Sequence, residues 1–408
     1  MKIHAQGLKQ LYGLENKSLL QFFLACFLAQ AAMGAIGVLL NLYILSLGFS
    51  EDFVGTVMSV KLFVTGIISI PAGLFCYRWG VSRTLTAASV ALGVGIMTVS
   101  WTSQPGLLVA GAVLIGIAMA IKAVSVPIFL IENSSPRVRQ NVFSLNFSLM
   151  MFANMAGSVI SGYLPELWSS SREGLSGTLM IFGLVALVSA VCLAFIPVGK
   201  GNSTDSGSQG LLGFRFILRN KKLFRLLAGH LLIGFGAGLI VPLFNVFMSN
   251  KLGASTSHIG IIMSAGQIAT ALGGLLVPLV VRYLGQVATV VVLRLTSIPF
   301  LLVIANAPNL QLMGVAYFFR TALMNMTNPV ESSFTMEMAG EKRVAMSSLL
   351  SSMNTVTRAI SVLASGWIMS RYSYSVPYYL TCGLYAVTTF LFWRWFRHEK
   401  TGVTESAV

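Results

Sequence analysis

Acidic residues are scarce in this chain. Of its 408 residues only 12 are Asp or Glu, against 27 Lys or Arg, and charged residues together make up 10% of the sequence. Soluble globular proteins carry about 25% charged residues. The composition is instead 55% hydrophobic, with a mean hydropathy of +0.80. This balance excludes an ordinary soluble domain and favours a protein whose solvent is largely the bilayer.

Cysteine and histidine are also few, with four of each. The cysteines, Cys26, Cys76, Cys192 and Cys382, have neither a metal-binding spacing nor an evident pairing, so we expect buried reduced thiols. The chain has no glycine-rich phosphate-binding loop ending in Lys-Ser or Lys-Thr, and no nucleophile–base motif. We therefore expect no ATP-driven step, no enzyme activity and no cofactor.

Long apolar runs dominate what the sequence does contain. A helix needs about 20 apolar residues to cross the hydrocarbon core, whereas a membrane β-barrel would have short alternating segments. The first run is too long for a cleavable signal core. The fold class is predicted to be an all-α integral membrane protein with twelve transmembrane helices, approximately at 18–46, 52–76, 84–101, 105–131, 141–165, 175–197, 222–248, 256–281, 287–305, 309–330, 343–369 and 375–396.

The basic residues of the loops lie almost entirely on one side of this topology. With both termini on the same side, the loops there hold 19 Lys or Arg, and the opposite loops hold only Arg172, Lys251 and Arg371. The positive-inside rule then predicts a multi-pass protein of the cytoplasmic (inner or plasma) membrane with both termini cytoplasmic. The net charge of +15 is explained by this topology and by attraction to anionic lipid headgroups, without a nucleic-acid partner.

A polar Gly/Ser-rich segment, VGKGNSTDSGSQGL (198–211), separates two sets of six predicted helices. It is typical of a flexible linker. We predict an N-terminal bundle at 1–197, a cytoplasmic linker at 198–221, and a C-terminal bundle with its tail at 222–408.

The two sets of helices resemble each other in sequence. LGFSEDFVGTVMS (47–59) aligns without a gap on LGASTSHIGIIMS (252–264), a shift of 205 that also takes Gly80 to Gly285. A shift of 204 takes Asn41 to Asn245. Two parallel repeats of this kind are a known transporter architecture.

One loop carries a more specific signature. Between the second and third apolar runs stands GLFCYRWGVSR (73–83), and the second repeat has a degraded copy, PLVVRYLG (278–285). This loop resembles the signature of the major facilitator superfamily. The resemblance implies two pseudo-symmetric six-helix bundles that rock in alternating access, and it assigns a gating loop to Gly73, Arg78, Gly80, Arg83 and Gly285.

The chain departs from that family's pattern in two places. The acid of the loop signature is replaced by Tyr77, and by Arg282 in the repeat, so the cytoplasmic latch that the family builds with this acid is expected to be weaker or different. The family's antiporter signature, with Gly-Pro near the end of the fifth helix, is absent from ANMAGSVISG (153–162). Drug–proton antiport is therefore less supported than the fold.

Five basic residues fall inside the apolar runs: Lys61, Lys122, Arg294, Arg320 and Arg358. A charge at the bilayer centre costs at least about 2.5–3.5 kcal/mol and normally faces a water-filled cavity or a partner. We expect Arg320 and Arg358 to face a cavity and Arg294 to serve helix packing, and leave both alternatives open for the lysines. The only acids near helices, Glu132 and Glu331, are placed toward cytoplasmic helix ends.

Polar side chains follow single helix faces near these arginines. In SSLLSSMNTVTRAISVLASG (347–366) a polar stripe contains Ser351, Asn354, Arg358, Ser361 and Ser365. A second stripe joins Arg320, Met324, Thr327 and Glu331. Further cavity candidates are Gln30, Asn41, Asn245 and Asn154, the last being the repeat mate of Arg358. The candidates for protonation are His230, Glu132 and Glu331.

These features predict a secondary transporter for a small organic solute. A cationic cavity favours an anion, because arginine binds carboxylate, phosphate and sulfate groups in a bidentate manner. The alternatives are a broad-specificity drug efflux transporter, a lipid or glycolipid flippase, and, more remotely, a transporter-like sensor that binds without moving its ligand. The expected partners are the solute and membrane lipid, and we expect a monomer.

Overall fold

The structure is a computed structural model that describes residues 16–136, 138–168, 170–196, 219–340 and 343–398. Within these ranges the regular structure is entirely helical, as the apolar runs predict. The predicted linker segment 198–211 lies outside the described residues.

The first half of the chain forms six long helices. Their ends lie within a few residues of the predicted runs, and Asn16 caps the first by accepting a hydrogen bond from the Ser18 amide at 3.0 Å. A short 3₁₀ turn at Leu164–Leu167 precedes the sixth helix. The helices are α1 (Lys17–Ser46), α2 (Glu51–Trp79), α3 (Val81–Trp101), α4 (Pro105–Glu132), α5 (Arg139–Tyr163) and α6 (Ser171–Ala194).

The second half repeats this order with one interruption. The predicted run 222–248 is broken at 241–243, where Pro242 cannot donate a backbone hydrogen bond to a continuous helix. We keep one label, α7, for its segments Lys221–Ile240 and Phe244–Leu252. The others are α8 (Thr256–Leu284), α9 (Gln286–Asn306), α10 (Leu310–Ala339), α11 (Arg343–Arg371) and α12 (Val376–Phe396).

By length and composition, nine helices of the described chain, α1 to α9, are apolar enough to cross a membrane. The remaining three, α10 to α12, have 30, 29 and 21 residues. Helices α10 and α11 contain the two predicted polar stripes, which lowers their mean hydropathy. The most polar of the long helices are therefore those that hold the candidate solute-binding arginines.

The packing inside each half follows one scheme. In the first half α3 packs on α4 and α6, and α1 packs on α5 and α6. In the second half α9 packs on α10 and α12, and α7 packs on α11 and α12. Helices α1, α3, α4, α5 and α6 thus have the neighbours of the helices six places later. The internal duplication predicted from sequence extends to helix packing.

Two repeat-related glycines make the tight turns between neighbouring helices. Gly80 joins α2 to α3 with a φ of 81°, and Gly285 joins α8 to α9 with a φ of 77°. Their amides donate to the carbonyls of Cys76 and Val281, respectively, at 3.0 and 2.8 Å. Positive φ is strained for residues with a Cβ, so both copies of the loop signature require glycine here.

The contacts divide the chain into two compact units. Unit 1 contains α1, α3 to α6, α2 from Val60 onward, and the start of α8, Ser255–Ser264. Unit 2 contains α7, α9 to α12, α8 from Ala265 onward, and the start of α2, Glu51–Ser59. The start of each of these two helices therefore packs with the unit that holds the opposite half of the sequence. The predicted domain boundaries at 197 and 222 stay a prediction.

Each unit has its own apolar core. In unit 1 the rings of Phe22 and Phe129 stack at 4.2 Å within a cluster of buried residues from α1, α2, α3, α4, α5 and α6. In unit 2 Phe334 lies edge-on to Phe392 and Phe396, with ring centroids 5.8 and 5.4 Å away. These cores hold the helices that position the charged side chains.

Candidate solute-binding site

Helices α10 and α11 place two arginines in proximity within unit 2. Arg320 is 7% exposed and Arg358 is half-buried, and the two guanidinium groups are close enough to interact electrostatically. Neither has a carboxylate within 4.0 Å among the described residues. The Nε atoms of both are buried without a hydrogen-bond partner there. The charges that were predicted to face a cavity are therefore not neutralised by the described part of the chain.

Tyrosines surround Arg320. Its Nη2 donates to the Tyr385 hydroxyl of α12 at 3.4 Å, and Tyr317 and Tyr378 are close enough to feel its charge. The ring of Tyr317 stacks on Phe244 at 4.3 Å. The Tyr378 hydroxyl is buried without a hydrogen-bond partner among the described residues. The arginine pair thus lies in an aromatic environment with few hydrogen-bond acceptors.

The polar stripe of α11 divides into two parts. Ser361 and Ser365 are fully buried, and their hydroxyls donate to the carbonyls of Phe235 and Leu239 on α7. A Cβ placed on Gly234 of α7 would lie 2.7 Å from Oδ1 of Asn354. These side chains hold α11 against α7, whereas Arg358 has no such partner among the described residues.

The α10 stripe contains an ion pair as well as Arg320. Glu331 is 5% exposed, and its carboxylate forms an ion pair with the guanidinium of Arg294 from α9, which is 2% exposed. Arg294 was expected to serve packing, and it joins α9 to α10 through this pair. Thr327 donates its hydroxyl to the Met324 carbonyl of its own helix at 2.7 Å. The acid of this stripe therefore compensates Arg294 and leaves Arg320 without a carboxylate partner.

A histidine completes the surroundings of Glu331. Nδ1 of His230 in α7 lies 3.7 Å from Oε2 of Glu331, and its Nε2 lies 3.2 Å from the Thr335 hydroxyl. The guanidinium of Arg294 also lies over the Phe392 ring at 5.7 Å. We name Arg294, Glu331 and His230 the buried triad. It brings together two of the three residues that were predicted to exchange protons; the third, Glu132, is exposed at the end of α4.

The two lysines lie in unit 1. Lys61 of α2 and Lys122 of α4 are both half-buried and have no carboxylate within 4.0 Å among the described residues. Helices α2 and α4 approach closely here, because a Cβ on Gly116 would lie 2.5 Å from the Lys61 carbonyl oxygen. Thr65 bridges the same helices by donating to the Gly116 carbonyl at 3.1 Å. The two lysines of unit 1 thus lie on a closely packed helix pair.

The duplication also relates Arg358 to Asn154 in three dimensions. A Cβ on Gly34 of α1 would lie 2.4 Å from the Asn154 carbonyl oxygen, and a Cβ on Gly238 of α7 would lie 3.0 Å from the Arg358 Cα. Gly34 and Gly238 are themselves related by the shift of 204. A glycine contact therefore sets the backbone position of both polar residues, within their own units.

The other predicted polar residues occupy mixed environments. Asn41 and Asn245 are 2% and 1% exposed, and Oδ1 of Asn245 accepts from the Val246 amide at 3.0 Å. Gln30 is half-buried. Gln30 and Asn41 belong to unit 1, and Asn245 belongs to unit 2 with Arg320 and Arg358.

The residues of the loop signature lie at the ends of α2 and α3. Arg78 and Arg83 are exposed, and a Cβ on Gly73 would meet nothing within 4 Å.

Sequence reasoning did not single out Tyr317, Tyr378 and Tyr385, since tyrosine in an apolar helix is common in ordinary packing. Among the described residues no three His, Cys, Asp or Glu side chains are grouped as a metal site would require.

Comparison with known proteins identifies the family to which this chain belongs. The sequence model of the family described as "Major Facilitator Superfamily" matches residues 22–235 and 226–407 of this chain. The nucleoside transporter NupG superposes with a TM-score of 0.80 at 15% identity, covering 94% of this chain and all of that one. A bacterial homologue of the human lysosomal transporter Spinster gives 0.76 at 13% identity, covering 93% and 96%. A D-xylose–proton symporter gives 0.73 at 14% identity, covering 92% and 97%.

A search of curated protein sequences found no match. At these identities the solved structures establish the fold, while the family match extends over both halves of the chain. The findings agree with the all-helical architecture and with the predicted absence of an enzymatic role. The protein is a multi-pass membrane transporter, and the chain belongs to the major facilitator superfamily.

Proposed function

We propose that this protein is a secondary transporter that moves a small organic anion across the cytoplasmic membrane by alternating access. The observation that carries the proposal is the pair Arg320 and Arg358, buried or half-buried in unit 2 without a carboxylate partner among the described residues. We further propose a monomer in a lipid bilayer with both termini cytoplasmic, from the distribution of basic loop residues.

Electrostatics supports an anion over a cation or a neutral solute. Two guanidinium groups that interact at low dielectric repel each other, and each loses hydration on burial. A carboxylate, phosphate or sulfate between them relieves both costs and can accept two parallel hydrogen bonds from one guanidinium. A cationic solute would add to the repulsion.

The tyrosines narrow the class of anion. Tyr385 contacts Arg320 directly, and the Tyr317 ring stacks on Phe244 nearby. Aromatic side chains provide apolar contact area with a polar end. A solute with one acidic group and a planar or apolar body fits such a setting better than a small inorganic anion or a free sugar.

Coupling is proposed to involve the buried triad. Histidine and glutamate side chains are types that can take up and release protons, as coupling to a proton gradient requires. Here Glu331 contacts both His230 and the charged Arg294 of α9. One structurally similar protein is a D-xylose–proton symporter. Proton-coupled movement and exchange are both compatible with this arrangement, and either uptake or export can follow from it.

Flux into proteoliposomes tests the proposal. The wild type should accumulate a radiolabelled aromatic carboxylate in preference to the matched amide and amine. Arg320→Gln and Arg358→Gln should each reduce that flux by about tenfold or more, since truncating a charged hydrogen-bond partner costs about 1.5–3 kcal/mol. Arg371→Gln is the matched control, because Arg371 is exposed at the end of the same helix as Arg358. Undiminished anion flux in both arginine variants refutes the assignment.

A further inference from the structure

A groove on the outer face of unit 1 lies apart from the candidate solute-binding residues. It has a volume of about 700 Å³ and lies between α3, α4 and α6. This size falls within the roughly 300–1,000 Å³ of pockets that hold small organic ligands. Ser82, Arg83 and Thr86 line one end, and Val90, Val94 and Leu114 line the part farther along α3.

The polar end of the groove has unused capacity for an anion. Arg83 is exposed and has no ion-pair partner among the described residues, and it is the charged residue among those that line the groove. Ser82 is only 6% exposed, lines the groove, and its hydroxyl donates to no described residue. No acid lies in the first turn of α3. A hydroxyl that lines the groove without a hydrogen-bond partner among the described residues, beside a free guanidinium, favours an anionic oxygen group.

The remainder of the groove is apolar and open. Val90 and Val94 are 42% and 41% exposed, although this part of α3 lies inside a predicted membrane span. From Ser82 to Val94 the helix rises about 18 Å. Half of a typical hydrocarbon core is about 15 Å thick. The groove thus extends from a helix end to about the middle of the bilayer, which is the depth of one leaflet.

We propose that this groove binds an anionic phospholipid, with its phosphate at Arg83 and Ser82 and one acyl chain along Val90, Val94 and Leu114. The charge of Arg83 complements the phosphate, and the apolar length complements the chain. Thr86 donates its hydroxyl to the Ser82 carbonyl at 2.9 Å, so it shapes the polar end without competing for the ligand. Arg83 lies in the first turn of α3, at the membrane side that the basic residues predict to be cytoplasmic, so we place this lipid in the cytoplasmic leaflet.

Native mass spectrometry of the detergent-solubilised protein tests this site. Phosphatidylglycerol should bind about fivefold more tightly than phosphatidylcholine, as expected for one basic side chain near an anionic headgroup. Arg83→Gln should abolish this preference. Arg78→Gln should preserve it, because Arg78 is an exposed basic residue of the same loop signature, at the end of α2, and does not line the groove. Melting temperatures with each lipid provide a second readout.

Two further sets of measurements distinguish a lipid from free phosphate and test the apolar and polar parts of the groove separately. Inorganic phosphate and glycerol phosphate should produce no shift in melting temperature, since they cannot fill the apolar groove. Ala87→Trp, at an exposed lining position, should weaken both lipids. Ser82→Ala should also weaken both and leave their ratio unchanged, because both carry the phosphate that the Ser82 hydroxyl would bind. The proposal is overturned if Arg83→Gln keeps the lipid preference, if Arg78→Gln loses it equally, or if inorganic phosphate alone reproduces the shift.

Discussion

Gly55 of α2 lies directly against Gly366 of α11 within unit 2, where a Cβ on Gly55 would be 3.0 Å from the Gly366 Cα. Their repeat mates make the same contact within unit 1, where a Cβ on Gly260 would be 3.1 Å from the Gly162 Cα. Small residues allow membrane helices to approach this closely. The duplication has therefore preserved a pair of helix contacts as well as individual residues.

Replacing Gly55 should disturb this contact. Gly55→Leu forces a side chain against Gly366 and the Val362 carbonyl, 3.1 Å from the Cβ position, and overpacking of this kind costs about 1–3 kcal/mol. We expect a lower melting temperature in detergent and reduced transport. Gly73→Leu, on the same helix but with nothing within 4 Å of its Cβ position, is the control. Equal melting temperatures for the two variants would contradict the packing interpretation.

The pair Arg294–Glu331 should behave as a buried ion pair. Glu331→Gln leaves Arg294 buried without a compensating charge, which destabilises proteins by about 3–5 kcal/mol. Arg294→Gln should have a comparable effect, and the double variant should recover much of the loss. The measurement is a double-mutant cycle of thermal stability.

The exposed acid Glu132 supplies the control for that cycle. Glu132→Gln, at the end of α4, should change the melting temperature little. If losses at Arg294 and Glu331 add without coupling, the two residues act independently and the pair has no energetic role.

Variants of the buried triad should also change the pH dependence of flux. His230 is faced by Glu331 and Arg294, and by the neutral Thr335 hydroxyl. If these residues couple transport to protons, His230→Gln and Glu331→Gln should flatten the pH profile of net uptake while leaving exchange of labelled for unlabelled solute measurable. A pH profile identical to the wild type in both variants excludes the triad from coupling.

A polar cluster at the ends of α2, α7 and α11 gives a pH prediction outside the membrane spans. The Tyr374 hydroxyl donates to the Glu51 carboxylate, and Nδ2 of Asn250 lies 3.0 Å from both groups. Burial, and then the hydrogen bond to Glu51, raises the pKa of Tyr374 above its usual 10.0. Because the folded protein holds this proton more tightly, the resulting stabilisation is complete below pH 10 and is lost as pH rises through the raised pKa.

Tyr374→Phe should remove that dependence. The variant should melt at a lower temperature than the wild type at neutral pH, by an amount corresponding to about 0.5–1.5 kcal/mol for one hydrogen bond, or more because Glu51 is charged. The difference should shrink above pH 10. Tyr372→Phe is the control, since Tyr372 is 70% exposed. A difference that stays constant from pH 7 to strongly alkaline conditions would show that the hydroxyl contributes no proton-linked stability.

Much of the fold follows from the sequence because bilayer thickness constrains helix length. The predicted ends agree with the observed ones to a few residues in most helices. There are two exceptions: α7, where Pro242 breaks a run that remains apolar throughout, and α10, which continues to Ala339 although the predicted run ended at 330. Hydropathy is insensitive to such a break. The glycines at 80 and 285 were recognisable because glycine suits a tight turn between helices and recurs in both copies of the loop, and the structure gives both a positive φ.

The site was less predictable because it depends on which helices are neighbours. A 3.6-residue period places Arg358, Ser361 and Ser365 on one face, yet it cannot tell that α7 carbonyls accept from both serines. The pairing of Arg294 with Glu331 likewise requires knowing that α9 packs on α10. This pairing explains why a lone acid in the stripe does not neutralise Arg320.

Direct binding measured by calorimetry tests the central claim most closely. Purified wild-type protein is titrated with an aromatic carboxylate and with its matched uncharged amide, and the same titrations are repeated with the Arg320→Gln/Arg358→Gln double variant and with Arg371→Gln. The account predicts that the wild type and Arg371→Gln bind the carboxylate and discriminate against the amide, and that the double variant loses this discrimination. Retention of carboxylate preference by a folded double variant, or a wild type that binds only cationic analogues, would contradict it.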